Sequence, residues 1–303
     1  MIGIKSKIIG LYNSIMNHVD QSREQLIFSQ LTMMLTDHAL HHSTVGVSDR
    51  RYFESGNLIV SLTTYGDRLY HVYLTIESLL AQTYKPNKII LWLSSELQNQ
   101  DLSEILKNQV RRGLEIRYCK DIRSYKKLIP ALKQFPNDYI ITVDDDVVYH
   151  YDFVENLVRA YQESPGNICS YRVRRVATKG TTILPYHQWE IIKDDFTPSK
   201  FNLMTGVGGV LYFPHCFNEK VFNEDVFLDI CKYADDIWFY SMALLNDVKV
   251  RPVRMTHHNY FYVNTEAETI SPLAELNIAD GLNDQQLLAV FNKYNLSSRL
   301  FTS

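Results

Sequence analysis

The alternation of strand-like and helix-like segments between residues 57 and 144 constrains the fold more than any other feature of this sequence. Runs of β-branched and apolar residues, typical of buried strands, are separated by stretches with apolar positions at helical spacing. The predicted strands are Asn57–Thr63, Lys88–Leu93, Leu114–Tyr118 and a strand that ends at Asp144. The predicted helices between them are Leu69–Thr83, Ser103–Arg112 and Tyr125–Phe135. Such alternation predicts an α/β fold with a mostly parallel central sheet flanked by helices.

Composition excludes several classes of protein. The 303 residues are 46% hydrophobic and 21% charged, which is ordinary for a soluble globular protein. A net charge of -3 gives no overall attraction to nucleic acid, so no nucleic-acid partner is expected. The four cysteines lack CxxC or Cys/His ligand spacing, which predicts reduced thiols and excludes a disulfide framework or a zinc site.

The location of the protein is predicted from its apolar segments. There is no signal-peptide pattern and no apolar run near the length of a membrane span, so a cytoplasmic protein is expected. Residues 1–12 interleave isoleucines with Lys5 and Lys7, as an interfacial amphipathic helix does. Such a helix would place the protein peripherally on the inner face of the cell membrane. Packing of this helix on the protein's own surface is the alternative.

Three consecutive carboxylates, Asp144, Asp145 and Asp146, end the fourth predicted strand. Their charges repel one another unless a positive charge lies between them, and ligands of open α/β sheets bind beyond the carboxyl ends of strands. Oxygen ligands suit a divalent cation that is presented to a phosphate-bearing substrate. In this interpretation Asp146 coordinates the cation and bridges it to a diphosphate, while another aspartate binds ribose or the metal through water. A solvated acidic turn is the alternative.

A basic cluster follows the third predicted strand and opens the predicted helix Tyr125–Phe135. Positive charge at a helix N-terminus opposes the helix dipole, which favours a role in binding an anion. Arg123, Lys126 and Lys127 are therefore candidate phosphate contacts, and Asp121 is a candidate acceptor for a nucleobase imide. Exposed surface lysines are the alternative.

A second acidic pair, Asp235 and Asp236, opens an apolar helix much further along the chain. Negative charge is favourable at a helix N-terminus, and capping alone accounts for one of the two carboxylates. The other carboxylate, if it points into a cleft, can act as a general base that deprotonates an acceptor hydroxyl.

Two further segments are candidates for binding. Residues 204–214 place three glycines before a predicted strand, where the backbone can approach a ligand closely, although a tight turn explains them equally well. Their order and spacing differ from the GxGxxG fingerprint, which argues against a Rossmann dinucleotide site. His257 follows the strand-like stretch Val248–Met255 and is a candidate to complete the metal shell, with a structural histidine as the alternative.

In chain order these segments resemble glycosyltransferases of the GT-A fold that act in bacterial capsule and lipopolysaccharide synthesis. The opening strand, helix and second strand resemble theirs in the sequences NLIVSLTTYGDRL and LTIESLLAQTYKPNKIILWLS. VDDDV matches their DxD motif through Asp144 and Asp146. GVGGVLYFP is similar to the segment that shapes the acceptor side, and ADDIWF stands where many inverting members carry an acidic pair. The resemblance covers about residues 57–260.

The resemblance implies a role for individual residues. Asp236 would be the catalytic base, with Asp235 beside it, and Mn²⁺ or Mg²⁺ would be held by Asp144, Asp146 and His257. The nucleotide-sugar would be bound by Thr63, Arg68, Asp121, Arg123, Lys126, Lys127, Asp144 and Asp145. The acceptor side would include Gly208, Gly209 and Trp238.

The implied reaction moves a sugar from a nucleotide-sugar, with a UDP-sugar favoured, to a hydroxyl of a glycan or lipid-linked acceptor. The implied chemistry is metal-dependent and inverting, and the implied setting is bacterial surface polysaccharide synthesis, with other polysaccharide-assembly proteins as further partners.

The chain departs from the family pattern where an acid usually follows the first strand, since Thr64, Tyr65 and Arg68 stand there. Ser94-Ser95-Glu96 replaces the aspartate after the second strand, which favours Asp121 as the nucleobase contact. No QxxRW-like segment is present, which argues against a processive synthase.

Two other functions are compatible with the acidic segments. A Mg²⁺-dependent phosphatase of the haloacid-dehalogenase type fits the DxDx[TV] pattern, but its motif normally ends the first core strand, and here three strand–helix units come before it. A non-catalytic carbohydrate-binding subunit is the third possibility, against which the two acidic sites argue.

The predicted division is a helical N-terminal extension and linker over 1–50, a GT-A catalytic domain over 51–265 and a C-terminal helical tail over 266–303. The nucleotide-sugar half of the domain is expected over 57–150 and the acceptor half over 151–265.

Overall fold

The structure, a computed structural model, describes residues 26–254, 260–263 and 281–301. The strands are β1 (Leu58–Thr63), β2 (Lys88–Ser94), β3 (Leu114–Cys119), β4 (Tyr139–Thr142), β5 (Val147–Tyr149), β6 (Asn167–Ser170), β7 (Val173–Arg175), β8 (Thr178–Lys179), β9 (Thr182–Ile183), β10 (Asn202–Met204), β11 (Val210–Tyr212), β12 (Lys249–Pro252) and β13 (Tyr260–Tyr262). The α-helices are α1 (residues 26–41), α2 (Val72–Leu80), α3 (Glu104–Arg111), α4 (Ile129–Gln134), α5 (Phe153–Glu163), α6 (Glu224–Ile230), α7 (Asp235–Leu245), α8 (Leu282–Tyr294) and α9 (Leu296–Phe301).

A seven-stranded sheet in the order β12–β6–β11–β4–β1–β2–β3 forms the centre of the fold. The strands β4, β1, β2 and β3 run parallel, whereas β11 runs antiparallel between β4 and β6. This arrangement confirms the predicted α/β class with a mostly parallel central sheet. Because β11 is antiparallel to β4, residues that precede β11 lie beside the carboxyl end of β4.

Helices cover both faces of the sheet, which explains why its strands read as nearly continuous apolar runs. Successive residues of β1 point to opposite faces, so Ile59 belongs to one core and Val60 to the other. The core that contains Val60 also includes side chains of α2, α3 and α5. The core that contains Ile59 includes side chains of α4, α6, α7, α8 and α9.

The structure corrects three predicted element boundaries. The first predicted helix is divided into a 3₁₀ helix, Gly66–Tyr70, and α2. The predicted helix Tyr125–Phe135 is divided into a 3₁₀ helix, Arg123–Lys127, and α4, because Pro130 lacks an N–H and fits only the first turn of a helix. The strand expected to reach Asp144 ends at Thr142, so the three aspartates lie in the turn between β4 and β5.

The terminal helices pack on this core within the described residues. Leu31 and Leu35 of α1 contact a small cluster that includes Leu74 and Val148, while residues 1–25 lie outside the described part of the chain. The helices α8 and α9 contribute to the same core as α7, and residues 266–280 of the predicted tail are not among the described residues. No helix in the described ranges is long and apolar enough to cross a membrane.

Candidate active site

The turn that carries the three aspartates is held through its backbone. The N–H of Asp144 donates to Tyr149 Oη at 3.0 Å, and Thr75 Oγ1 donates to the carbonyl oxygen of Asp145 at 2.9 Å. Tyr149 and Thr75 are both buried. The side chains of Asp144 and Asp146 remain 26% and 24% exposed, whereas that of Asp145 is only 6% exposed. The fold therefore presents two of the three carboxylates to solvent.

Lys127 joins the two acidic segments into one site. Its Nζ donates to Asp144 Oδ1 at 3.0 Å and lies 3.3 Å from Asp235 Oδ2, although the lysine side chain is only 9% exposed. Burial alone lowers the pKa of Lys127, but Asp144, Asp235 and Asp236 together raise it well above its ordinary value. The ammonium group therefore stays charged and holds the segments together.

Asp236 is held by the backbone of Gly206, whose N–H lies 3.0 Å from each carboxylate oxygen. Burial and the neighbouring Asp235 carboxylate raise the pKa of Asp236, against the opposing effect of Lys127. A Cβ atom on residue 206 would lie 2.6 Å from Lys127 Nζ and 3.2 Å from Asp236 Oδ1. A side chain on residue 206 would therefore displace Lys127 or Asp236 from this arrangement. The sequence pattern pointed to this glycine-containing segment but gave Gly206 no role.

Arg68 lies on the other side of the aspartate turn. Its Nη1 is 2.8 Å from Asp145 Oδ1 and 3.1 Å from Asp146 Oδ2. Burial lowers the pKa of Arg68, but Asp145 and Asp146 raise it by more. The sequence predicted that the three carboxylates need a positive charge between them. The structure shows that Arg68 and Lys127 supply positive charge from within the protein.

The aspartate turn keeps an excess of negative charge despite these two cations. Burial and Asp144 raise the pKa of Asp146 to about 6, although Arg68 acts in the opposite direction. Burial likewise raises the pKa of Asp145, and Arg68 again opposes it. A further positive charge beside Asp144 and Asp146 would therefore be stabilised.

These two carboxylates fit a divalent cation that arrives with a phosphate ligand. Within residues 26–254, 260–263 and 281–301, no group of three or more His, Cys, Asp or Glu side chains is arranged to hold a metal ion. His257, the predicted third ligand, lies outside the described residues. Mg²⁺ is commonly bound through one or two carboxylates together with substrate phosphates, without a cage of protein ligands. The donor set at Asp144 and Asp146 has this character.

The predicted basic cluster is more buried than surface lysines would be. Lys126 Nζ donates to Asp121 Oδ1 at 2.8 Å, and this hydrogen bond is the main factor that lowers the pKa of Asp121. The N–H of Arg123 donates to the same oxygen at 3.0 Å, and the Arg123 guanidinium lies 4.9 Å from the centroid of the Tyr233 ring. Asp121 and Arg123 are exposed, whereas Lys126 is buried. The cluster is thus an ordered turn with two exposed polar side chains.

The remaining predicted residues have mainly structural contacts. Thr63 Oγ1 donates to the carbonyl oxygen of Trp92 at 2.8 Å. A Cβ atom on Gly209 would lie 2.4 Å from Phe153 Cζ, so this glycine is required for packing. Trp238 is fully buried, and its Nε1 donates to the carbonyl oxygen of Val221 at 3.1 Å, which places it in the core instead of on the acceptor side. Gly208 has a φ of 94°, a conformation that favours glycine.

The fold is the GT-A fold of glycosyltransferases. Residues 65–224 match the model of glycosyl transferase family 2, and the chain belongs to that family. The chain therefore carries a glycosyltransferase domain of this family. The phosphatase interpretation is therefore wrong, because the chain belongs to a different family.

Individual relatives are more distant. The chain is 24% identical over 185 residues to a glucosyl-dolichyl phosphate glucuronosyltransferase of Haloferax volcanii, a match that covers 57% of this chain and 55% of that protein. The chain thus spans about half the length of this curated relative. Among solved structures it is similar to S. aureus TarS 1-349, with a TM-score of 0.45 and 16% identity over 78% of this chain and 71% of that chain. The same TarS fragment in complex with UDP gives a TM-score of 0.44 and 15% identity over 75% and 64% of the two chains.

Proposed function

We propose that the chain transfers a sugar from a UDP-sugar to a hydroxyl of a glycan or lipid-linked glycan, with Mn²⁺ or Mg²⁺ and with inversion at the anomeric carbon. The observation that supports this most strongly is Lys127, whose ammonium lies between Asp144 and Asp235. This ion pair places Asp144, one of the two partly exposed carboxylates suited to bind a cation, next to the acidic pair that contains the proposed base. A metal-dependent sugar transfer needs both within one site.

The donor side is formed by the aspartate turn and the basic turn. Asp144 and Asp146 would hold the cation, which when bound neutralises charge on the departing diphosphate. Lys127 keeps Asp144 in place, and Arg68 and Arg123 provide positive charge at the exposed edge of the site. Asp121, fixed by Lys126, is the proposed acceptor for the nucleobase imide.

The acceptor proton is taken by Asp236. Asp235 has its Oδ2 3.3 Å from the Lys127 ammonium, so this carboxylate is engaged in an ion pair. Among the described residues, the hydrogen bonds that Asp236 accepts come from the Gly206 N–H, and its raised pKa suits it to take up a proton. As the acceptor oxygen attacks the anomeric carbon, its proton passes to Asp236, and the bond from that carbon to the diphosphate breaks on the opposite face.

The biological setting is proposed from the resemblance and from one relative. The name of the Haloferax protein contains a glucosyl-dolichyl phosphate, which supports a lipid-linked acceptor for this chain as well. We place the reaction in bacterial surface polysaccharide synthesis at the inner face of the cell membrane, with other polysaccharide-assembly proteins as partners.

The donor and the metal requirement are tested together. Nucleotide-sugars with uridine, guanosine or thymidine diphosphates are screened for release of nucleoside diphosphate, with Mn²⁺ and with EDTA. We expect release from a UDP-sugar with Mn²⁺, loss of release with EDTA, and a strong decrease in Asp144→Asn. The matched control is Asp229→Asn, an exposed aspartate of α6. Equal release with Mn²⁺ and EDTA would contradict the metal requirement.

The stereochemistry is tested by proton NMR of the free sugar that forms early when water replaces the acceptor. An α-linked UDP-sugar should give the β-anomer when a single displacement with Asp236 as base takes place. Early accumulation of the α-anomer would contradict the inverting mechanism without affecting the identity of the donor.

A further inference from the structure

Arg68 is held less firmly than Lys127. Lys127 lies in a turn whose neighbouring side chains are buried, whereas the 3₁₀ helix Gly66–Tyr70 has no buried residue. The Arg68 side chain is 34% exposed, and its guanidinium lies 5.3 Å from the centroid of the exposed Tyr65 ring. Arg68 is therefore a cation on a surface turn that can move without disrupting the core.

The carboxylates that Arg68 contacts belong to a firmly held turn. Thr75 fixes the backbone of Asp145, and Asp145 itself is nearly buried. One nitrogen, Arg68 Nη1, contacts both Asp145 Oδ1 and Asp146 Oδ2. A change in this ion pair would thus move the arginine and leave the carboxylates in place.

We propose that Arg68 is an exchangeable counter-charge for the aspartate turn. In the donor-free enzyme it neutralises Asp145 and Asp146, and it moves to the donor diphosphate when cation and nucleotide-sugar bind together. This inference rests on the cation-dependent function proposed above and adds to it a coupling between cation binding and nucleotide binding. The free enzyme binds a lone divalent cation weakly, and the nucleotide greatly increases that affinity.

Simple electrostatics explains this coupling. A lone dication at Asp146 lies close to the positive Arg68 guanidinium, which repels it. A cation that arrives on a diphosphate brings phosphate oxygens, and a guanidinium binds phosphate through parallel charge-assisted hydrogen bonds. The nucleotide therefore provides Arg68 with a new partner at the moment when the cation takes its place on Asp146.

Electron paramagnetic resonance of free Mn²⁺ measures the coupling on the full chain without turnover. Binding is titrated for the wild type, Arg68→Gln, Arg68→Ala and Arg68→Lys, each alone and with UDP or GDP. The control is Arg50→Gln, since Arg50 stacks on Tyr52 and Tyr84 and forms no ion pair with a carboxylate among the described residues. Circular dichroism melting confirms that each variant folds.

The two neutral variants should bind lone Mn²⁺ about tenfold more tightly than the wild type, because the repelling charge is gone. The gain in Mn²⁺ affinity caused by UDP should be smaller in these variants than in the wild type. Arg68→Lys keeps the charge and should bind lone Mn²⁺ as weakly as the wild type, as should Arg50→Gln.

The outcomes separate this inference from the function on which it rests. If UDP increases Mn²⁺ binding by the wild type but the neutral variants bind lone Mn²⁺ no more tightly, the exchange is contradicted and the cation-dependent function stands. If no protein retains Mn²⁺ with either nucleotide, the cation-dependent function is contradicted and the exchange with it.

Discussion

At the scale of single residues, Lys127 and Gly206 determine whether the two acidic segments form one site. Lys127 supplies the positive charge between Asp144 and Asp235, and Gly206 provides the space for that ammonium and the N–H that orients Asp236. Removal of either carboxylate would leave the buried Lys127 charge less well compensated, which destabilises the protein. Substitutions at these two positions therefore test the geometry directly.

Gly206→Ala should reduce turnover by about tenfold or more while the protein stays folded, because a 1 Å displacement of a site group can have a large effect. The added methyl group would meet Lys127 Nζ at 2.6 Å and force it away from its carboxylates. Initial rates of nucleotide release and the melting temperature are measured on the same preparation. An unchanged rate would show that Lys127 need not stay in place.

The pH dependence of kcat/KM should show an acidic limb. Asp236 has to be ionised to take a proton, and its raised pKa means that it becomes protonated at a higher pH than an ordinary aspartate. Protonation of Asp146, whose pKa is raised to about 6, weakens cation binding on the same side. Activity should therefore fall as the pH decreases toward and below 6.

Lys127→Met should move that acidic limb to higher pH. The lysine lowers the pKa of Asp236 against the effects of burial and Asp235, so its removal should raise this pKa further. Lys133→Met, on an exposed lysine of α4, is the control and should keep the wild-type profile. A limb that stays at the wild-type pH in Lys127→Met would contradict the electrostatic role of Lys127.

The residues with charge were recognisable from the sequence, but their pairing was not. Three aspartates after an apolar strand and two at a helix start predict a charged edge, because carboxylates are costly to bury in a sheet. That Arg68 contacts Asp145, or that Lys127 lies between Asp144 and Asp235, depends on the relative placement of distant turns. No local pattern encodes these distances.

At the scale of elements, a polar network around the buried Glu77 connects α1 to α2 and α3. Glu77 of α2 is fully buried and accepts hydrogen bonds from Arg112 Nη1 at 2.9 Å and Gln109 Nε2 at 2.9 Å. His38 of α1 places its Nδ1 2.5 Å from Glu77 Oε1. The N-terminal helix is thus attached to the domain by a polar network as well as by Leu31 and Leu35.

Glu77→Gln should destabilise the protein by about 3 kcal/mol, because it leaves the buried Arg112 charge without a carboxylate. Glu104→Gln removes an exposed partner of Lys107 and should cost less than about 1 kcal/mol. Urea unfolding of the two variants measures the difference. Equal midpoints would show that Arg112 finds adequate compensation elsewhere.

Element type was easier to predict than element boundaries. Apolar periodicity identified the strands β1 to β4 and the helices between them, since both faces of the sheet are covered. The 3₁₀ helices Gly66–Tyr70 and Arg123–Lys127 were missed because each continues into an α-helix with only a short break. Each of them carries a cation of the candidate site, Arg68 or Lys127. The missed boundaries therefore lie at the candidate site, where the backbone is less regular than in the rest of the fold.

At the scale of the whole molecule, the site collects turns from several parts of the chain at one edge of the sheet. The turns that follow β1, β3 and β4 meet there because these strands are parallel. Gly206 reaches the same edge because β11 is antiparallel to β4, with Val210 opposite Thr142. The fold therefore places the aspartate turn, the proposed cation site, next to Asp236, the proposed base.

The turnover of Asp236→Asn tests this account most directly. Nucleotide release from the preferred nucleotide-sugar with Mn²⁺ is compared between the wild type, Asp236→Asn and Asp229→Asn, with folding checked by circular dichroism. The loss of a general base predicts a decrease of about 10²- to 10⁴-fold in Asp236→Asn, while Asp229→Asn keeps the wild-type rate. A folded Asp236→Asn enzyme with a near-normal rate would contradict the proposal that the two acidic segments form one catalytic site with Asp236 as its base.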